Sequence, residues 1–348
     1  MAITSLIFHR ITRWQVEQPS ELKLSEQCPD ITADHEALFS QLKKVFQFKA
    51  GKFHGKFDED YSAAPFQSWL KEFSDQKIGF EKLALLFMTQ FKDLVDKTSD
   101  EYEGSLLFIL EDRADGPRFY LFALESSSGL LLDNALTLDT VDYLNTSKLD
   151  LAIRVDLDEW LSASSSDTTV HSENDPAYLC LIRSRGNAKI GEAFTQACGF
   201  KSSIDSANET ATLMKVLAGY TKKKEPKEAM ITHQKAYDFC VEQQQLGEAV
   251  PLQDLSAYID EAEPESFSQF AAQAPEIESK KILRPDTRKL KHLVRISGKG
   301  NGLSLSFSSD LMQQTILFDE KTESLTITSI PKSLKKQILE HLKDQNND

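Results

Sequence analysis

Two-residue alternation of apolar and polar positions recurs along the chain. Leu149, Leu151, Ile153, Val155 and Leu157 alternate with Asp150, Ala152, Arg154, Asp156 and Asp158. That pattern predicts a long strand with one wet face. Near the other end, Leu303, Leu305 and Phe307 alternate with Ser304, Ser306 and Ser308, while Val294 and Ile296 flank Arg295. These predict the two arms of a hairpin closed by Gly298-Lys299-Gly300-Asn301-Gly302, whose glycines allow the positive φ of a tight reversal. A second hairpin is predicted from 316–318 and 325–328. Apolar runs at 106–110, 119–124 and 130–132 predict further strands, the first two joined by an Asp115-Gly116-Pro117 turn.

Helical spacing takes over elsewhere. Thr32 caps a helix with Asp34 and Glu36 in its first turn and the stripe Leu38, Leu42, Val45 and Phe46. Phe66, Trp69, Leu70 and Phe73 predict a second helix. Phe80, Leu83, Ala84, Phe87, Phe91, Leu94 and Val95 predict a third, the longest helical signal of the first half. Ile190, Ala193, Phe194 and Ala197 predict one that stops at Gly199. Helices dominate from about 208 to 270, broken at Lys222-Lys223-Lys224-Glu225-Pro226, and Pro331 opens a last one bearing Leu334, Ile338 and Leu342. The expected fold is α+β. An N-terminal antiparallel sheet with helices fills 1–165, a mainly helical region 176–279, and a basic segment with β-hairpins and a terminal helix 280–348. The serine-rich stretch 162–175 is the expected boundary.

Composition narrows the function. The chain has 348 residues, 40% hydrophobic and 27% charged, as in ordinary globular proteins. Its apolar runs are too short to span a membrane. The N-terminus reads as a first strand and lacks a signal-peptide pattern, so a cytoplasmic protein is expected. Cys28, Cys180, Cys198 and Cys240 are scattered, without metal-ligand spacing, and are expected to be reduced.

Charge is distributed unevenly. Lys280, Lys281, Arg284, Arg288, Lys289, Lys291, Arg295 and Lys299 face only Asp286 between 280 and 299. That window carries +7 in a chain of net charge −14, leaving −21 for the rest. Such separation suits a local surface for a polyanion. Arg183, Arg185 and Lys189 surround a predicted helix N-terminus, where backbone N–H groups favour anions, although surface ion pairs account for them better. A basic loop over 43–57 interleaves lysines with Phe48, Phe53 and Phe57. It suits phosphate and base contacts, or else is a solvated loop anchored by its phenylalanines.

Other features read as structural. The Gly298–Gly302 run leads into a strand, whereas a Walker loop leads into a helix, so it is a hairpin turn. Asp156, Asp158 and Glu159 suggest a metal or acid–base pair, but their spacing fits an exposed strand end running into a helix. No catalytic residue, metal ligand or cofactor is expected.

The order of segments resembles the NdpA-like family of bacterial nucleoid-associated proteins. The matching stretches are LAIRVDLDEW at 151–160, YLCLIRSRGNAKIGEAF at 178–194, YDFCVEQQQLGEAVP at 237–251 and SFSQFAA at 266–272. Residues 290–307 with their SGKGNGLSLSF core, and ILFDEKTESLTI at 316–327, complete the set. The resemblance implies a cytoplasmic, nucleoid-located, non-enzymatic protein and supplies no catalytic residues. Two functions follow. One is weak DNA binding without marked sequence specificity through the 280–299 patch, helped by Arg183, Arg185, Lys189 and the 43–56 loop. The other is an adaptor that reaches the nucleoid by binding a protein such as a DNA-topology enzyme, favoured by the acidic remainder. The pattern leaves the oligomeric state open.

Overall fold

A computed structural model of the chain describes residues 2–49, 51–58, 65–165, 177–183, 186–204, 206–246, 248–274, 282–312 and 314–345. The chain forms two compact units. One comprises Met1–Glu209, Glu242–Val250 and Ser279–Asp286; the other comprises Thr210–Val241, Pro251–Glu278 and Thr287–Asp348.

The first unit is built on an antiparallel sheet. Its elements are β1 (Ala2–Arg13), β2 (Glu21–Leu24), α1 (Ala33–Phe48), β3 (Phe53–Phe57), α2 (Phe66–Ser74), α3 (Phe80–Asp96), β4 (Tyr102–Asp112) and β5 (Arg118–Leu124). They continue with β6 (Ser126–Leu132), β7 (Leu138–Leu144), β8 (Leu151–Asp156), α4 (Leu157–Ser165), β9 (Leu179–Arg183), α5 (Ala188–Ala197) and β10 (Phe200–Ile204). Eight strands pair in the order β10-β3-β9-β8-β5-β4-β1-β2, while β6 and β7 form a separate hairpin.

Strand alternation places two apolar layers on the sheet. Phe108, Phe119, Leu121, Ile153 and Leu181 meet Phe66, Phe87, Phe91 and Phe194 of α2, α3 and α5. Leu107, Tyr120, Phe122 and Ala152 meet Phe39, Leu42 and Phe46 of α1. Each such aromatic side chain, once fully buried, resists truncation by about 3–5 kcal/mol. The capped start of α1 holds as expected, with Thr32 N–H donating to His35 Nδ1 at 3.2 Å. Arg13 Nη1 donates to Val95 O at 2.7 Å and to Thr98 O at 2.9 Å, which satisfies the carbonyl end of α3.

Three local expectations change. The 43–57 stretch is not a loop: α1 continues through Phe48 and Phe53–Phe57 is a strand between β10 and β9. The 149–157 strand is shorter, β8 running Leu151–Asp156 with both faces buried, and Leu157 opens α4. Its polar positions therefore face protein. The expected 162–175 boundary joins β8 to β9, which pair in the same sheet; residues 166–175 lie outside the described residues.

The second unit carries most of α6 (Ser206–Thr221) and α7 (Pro226–Leu246), followed by α8 (Leu252–Ile259) and α9 (Ser266–Ala271). Pro226 opens α7, at the predicted break. Tyr220 sits edge-on to Phe267 at 5.3 Å and to Phe270 at 5.6 Å, and its hydroxyl meets Ser266 Oγ at 2.7 Å. Two-residue strands β11 (Val250–Pro251) and β12 (Ile282–Leu283) lie where the chain passes between the units. The remainder is α10 (Thr287–Leu290), the hairpin β13 (Arg295–Gly300) and β14 (Leu303–Ser308), the hairpin β15 (Ile316–Asp319) and β16 (Ser324–Ile327), and α11 (Lys332–Gln345). Both hairpins and the final helix fall where alternation and Pro331 predict them.

Candidate nucleic-acid interface

The β13–β14 hairpin begins with its turn. Asn301 and Gly302 both have positive φ, 49° and 77°, and Gly300 pairs with Leu303. A two-residue loop with that geometry matches the right-handed twist of its strands, which is why Asn-Gly occupies it. The register puts Arg295 opposite Ser308, Ser297 opposite Ser306 and Lys299 opposite Ser304. One face of the ribbon is therefore all cation and hydroxyl. The other carries Ile296, Leu303, Leu305 and Phe307.

Arg295 is held upright on the polar face. Its Nε donates to Ser306 Oγ at 2.7 Å and its Nη2 to Ser306 O at 3.3 Å. Just before the hairpin, Leu290 and Val294 are buried and anchor α10 and the following 3-10 turn, while Arg288, Lys289 and Lys291 remain exposed. Lys289, Lys291, Arg295 and Lys299 have no carboxylate within ion-pair distance among the described residues. Hydroxyls beside free cations on a narrow ribbon suit phosphate oxygens, which accept from both. A two-stranded ribbon also fits the width of a DNA major groove.

The other candidate residues lie elsewhere. Lys280, Lys281 and Arg185 are outside the described residues. Arg284 belongs to the first unit and points inward, with its Nε enclosed. Burial, then repulsion from Arg154, lowers its pKa. Arg183 is exposed but lies over the Phe53 ring at 4.8 Å. Lys189 Nζ contacts Ser99 Oγ and stands 3.8 Å from Asp100 Oδ1. Asn187 caps that helix, its Oδ1 accepting from Ile190 N–H. Five candidates (Arg288, Lys289, Lys291, Arg295 and Lys299) thus share one segment of the second unit, while Arg183, Lys189 and Arg284 are in the first.

Three lysines of 43–57 serve the fold. Lys43 pairs with Glu111 at 2.5 Å, Lys49 with Asp150 at 3.5 Å, and Lys52 donates to Gln47 O at 2.8 Å. Asp156 is not an exposed strand end. Arg118 Nε reaches its Oδ1 at 2.5 Å and Arg154 Nη2 its Oδ2 at 2.8 Å. Arg118 also meets Glu248 at 2.9 Å and Asp115 at 3.1 Å. Both Asp156 oxygens are committed to guanidinium groups, so a metal or acid–base pairing with Asp158 does not fit. Burial works to lower the Arg154 pKa, but Asp156 and its neighbours raise it on balance and keep it charged. Sequence reasoning missed this network because Arg118 and Glu248 lie far from Arg154 and Asp156 in the chain. It also missed the serines as part of the polar face, although their alternation opposite Arg295 and Lys299 was the available signal.

The family described as nucleoid-associated protein YejK matches residues 7–335. A nucleoid-associated protein of Pseudomonas savastanoi pv. phaseolicola is 28% identical over 345 residues, covering 97% of this chain and 99% of its own. Counterparts in Pseudomonas entomophila and Azotobacter vinelandii are 27% and 26% identical over the same length, covering 97% of this chain and 98% of each. No helix among the described residues is long and apolar enough to cross a membrane.

Proposed function

We propose, from the premise that this chain belongs to the YejK family of nucleoid-associated proteins, that it holds DNA weakly and without marked sequence preference through 288–299. Family membership gives the location, the bacterial nucleoid. The observation that carries the contact is the exposed, unpaired state of Lys289, Lys291, Arg295 and Lys299 beside a row of serine hydroxyls. Marked specificity is not expected, because the polar face offers no amide or carboxylate to read adenine or cytosine edges, and the Arg295 guanidinium, of the class that reads guanine, is turned onto Ser306.

Five neutralised phosphates imply a log–log salt slope of roughly −4 to −5. Equilibrium binding of the full chain to a mixed-sequence duplex at several salt concentrations measures it. The triple variant Arg288→Glu, Lys289→Glu, Arg295→Glu should lose retention altogether. Retention unchanged in that variant rejects the patch.

The net −21 of the chain outside 280–299 favours a second reading, an adaptor held at the nucleoid by a basic protein such as a DNA-topology enzyme. Pulldown before and after nuclease treatment separates the two. Association that survives nuclease means a protein partner; association lost means a DNA tether.

A further inference from the structure

The β6–β7 hairpin of the first unit is a two-stranded ribbon outside the main sheet. Leu130, Leu132 and Leu138 lie on one face, and Leu131, Val141 and Tyr143 on the other, all exposed. Leu130 is 71% exposed and Leu138 59%. Both faces thus expose large apolar side chains towards the turn, with serines, Thr140, Asp139 and Asp142 among them, and a lone pair of strands is marginal in water. Residues 126–144 contain no Lys, Arg or Pro, the residues that usually guard an open strand edge. The arm is nevertheless well formed. Asp133 Oδ1 accepts from Ala135 N–H at 2.9 Å and Thr137 N–H at 2.8 Å, which fixes the turn. The Tyr143 ring lies across Gly129, where an added Cβ would come within 2.8 Å of it.

We propose that β7 pairs antiparallel with β7 of a second copy of this chain about a two-fold axis through Val141. The two hairpins then become one continuous antiparallel sheet. Any strand can meet its own copy in this way, and the same patch serves both molecules. The register is set by length and charge. Centring on Val141 engages the whole of Leu138–Leu144. Leu138 then faces the partner's Leu144, Asp139 the partner's Tyr143 and Thr140 the partner's Asp142. No two acids oppose each other, and the Tyr143 hydroxyl comes within reach of a carboxylate. One strand pair is a small interface, below the roughly 1,200 Å² of stable complexes, so the dimer depends on concentration.

Sedimentation velocity of the full chain from about 1 to about 100 μM tests this over the range of a weak association. The unmutated protein should pass from monomer to dimer. Val141→Lys, which sets two cations opposite each other on the axis, should remain monomeric with an unchanged circular dichroism spectrum. Val141→Cys should form a disulfide-linked dimer under mild oxidation above the background of the unmutated chain. Its two Cα atoms would lie about 4.5–5.5 Å apart, within disulfide reach. Leu131→Cys, on the neighbouring strand, should not. A monomer at every concentration overturns the proposal, as does a dimer that persists in Val141→Lys. Cross-linking at Leu131 in place of Val141 overturns it too. The readouts do not involve DNA and stand or fall apart from the reading above.

Discussion

Arg118 and Arg154 in the first unit, and Arg295 and Lys299 in the second, all sit on antiparallel strands in alternation with apolar residues. Their surroundings are opposite. The first pair is buried, fixed by Asp156 at 2.5 and 2.8 Å, and covered on both faces of the sheet. The second pair lies on a ribbon with serines across from it and no carboxylate. Charge alone therefore says little about role. A cation whose counter-charge is built into the fold contributes to a unique structure, whereas one left in water retains its full attraction for an outside anion.

The most damaging way to break that contrast is Asp156→Ala. Two buried guanidinium groups would lose their shared carboxylate, and removing one partner of a buried pair costs about 3–5 kcal/mol. Urea denaturation should show that loss, or a protein that fails to accumulate folded. A change under about 1 kcal/mol would mean that water reaches the network and that the two regions do not differ in kind.

A pH titration probes the same interior. Burial lowers the His9 pKa from 6.5 to about 4. The ring is neutral in the fold, and the unfolded chain takes up the proton first. Stability is then flat above pH 6.5, falls from 6.5 towards 4, and levels below 4 as far as this group is concerned, for a loss of about 3 kcal/mol. His54, pushed well down by burial and then by Arg284, Lys52 and Arg154, acts with the same sign. Thermal melts at pH 7 and pH 5 check the slope, and His9→Phe should flatten part of it.

Much of this could be read in the sequence. The β4–β5 hairpin, α3, the Pro226 break, the Asn301-Gly302 turn and α11 all follow from local patterns with a local cause. What failed had a distant cause. The polar positions of β8 were read as wet because alternation shows that two faces differ, not which one meets water. α1, packed in one cluster with Ala152, and Arg118, reaching Asp156, help make that face dry, and neither is near β8 in sequence. Phe53–Phe57 looked like a lysine-rich loop because β9 and β10, which make it a strand, lie far along the chain. Within the candidate site, the free cations were legible as a charge run. The inward turn of Arg284, four residues from exposed Arg288, was not.

A milder variant sharpens the comparison from the other side. Arg295→Ala should leave stability within about 0.5 kcal/mol, since among the described residues its side chain is held by Ser306 on an exposed ribbon. Under the DNA reading it should reduce the magnitude of the salt slope by about 1. A stability loss with no change in slope would move Arg295 into the class of Arg154.

The smallest effect is expected at Lys189, and it isolates the principle. Its side chain is 57% exposed, so by accessibility alone it resembles Lys299. It differs in its neighbours, for Asp100 stands 3.8 Å from its amine and Ser99 contacts it. A cation already facing a carboxylate releases little on meeting a phosphate. Lys189→Ala should therefore leave the salt slope unchanged and alter stability by less than about 1 kcal/mol, as exposed pairs do. If its removal lowered the slope as much as Arg295→Ala, pairing would not separate the cations that bind from those that do not. Exposure alone would then decide, and Arg183 would rejoin the candidate surface.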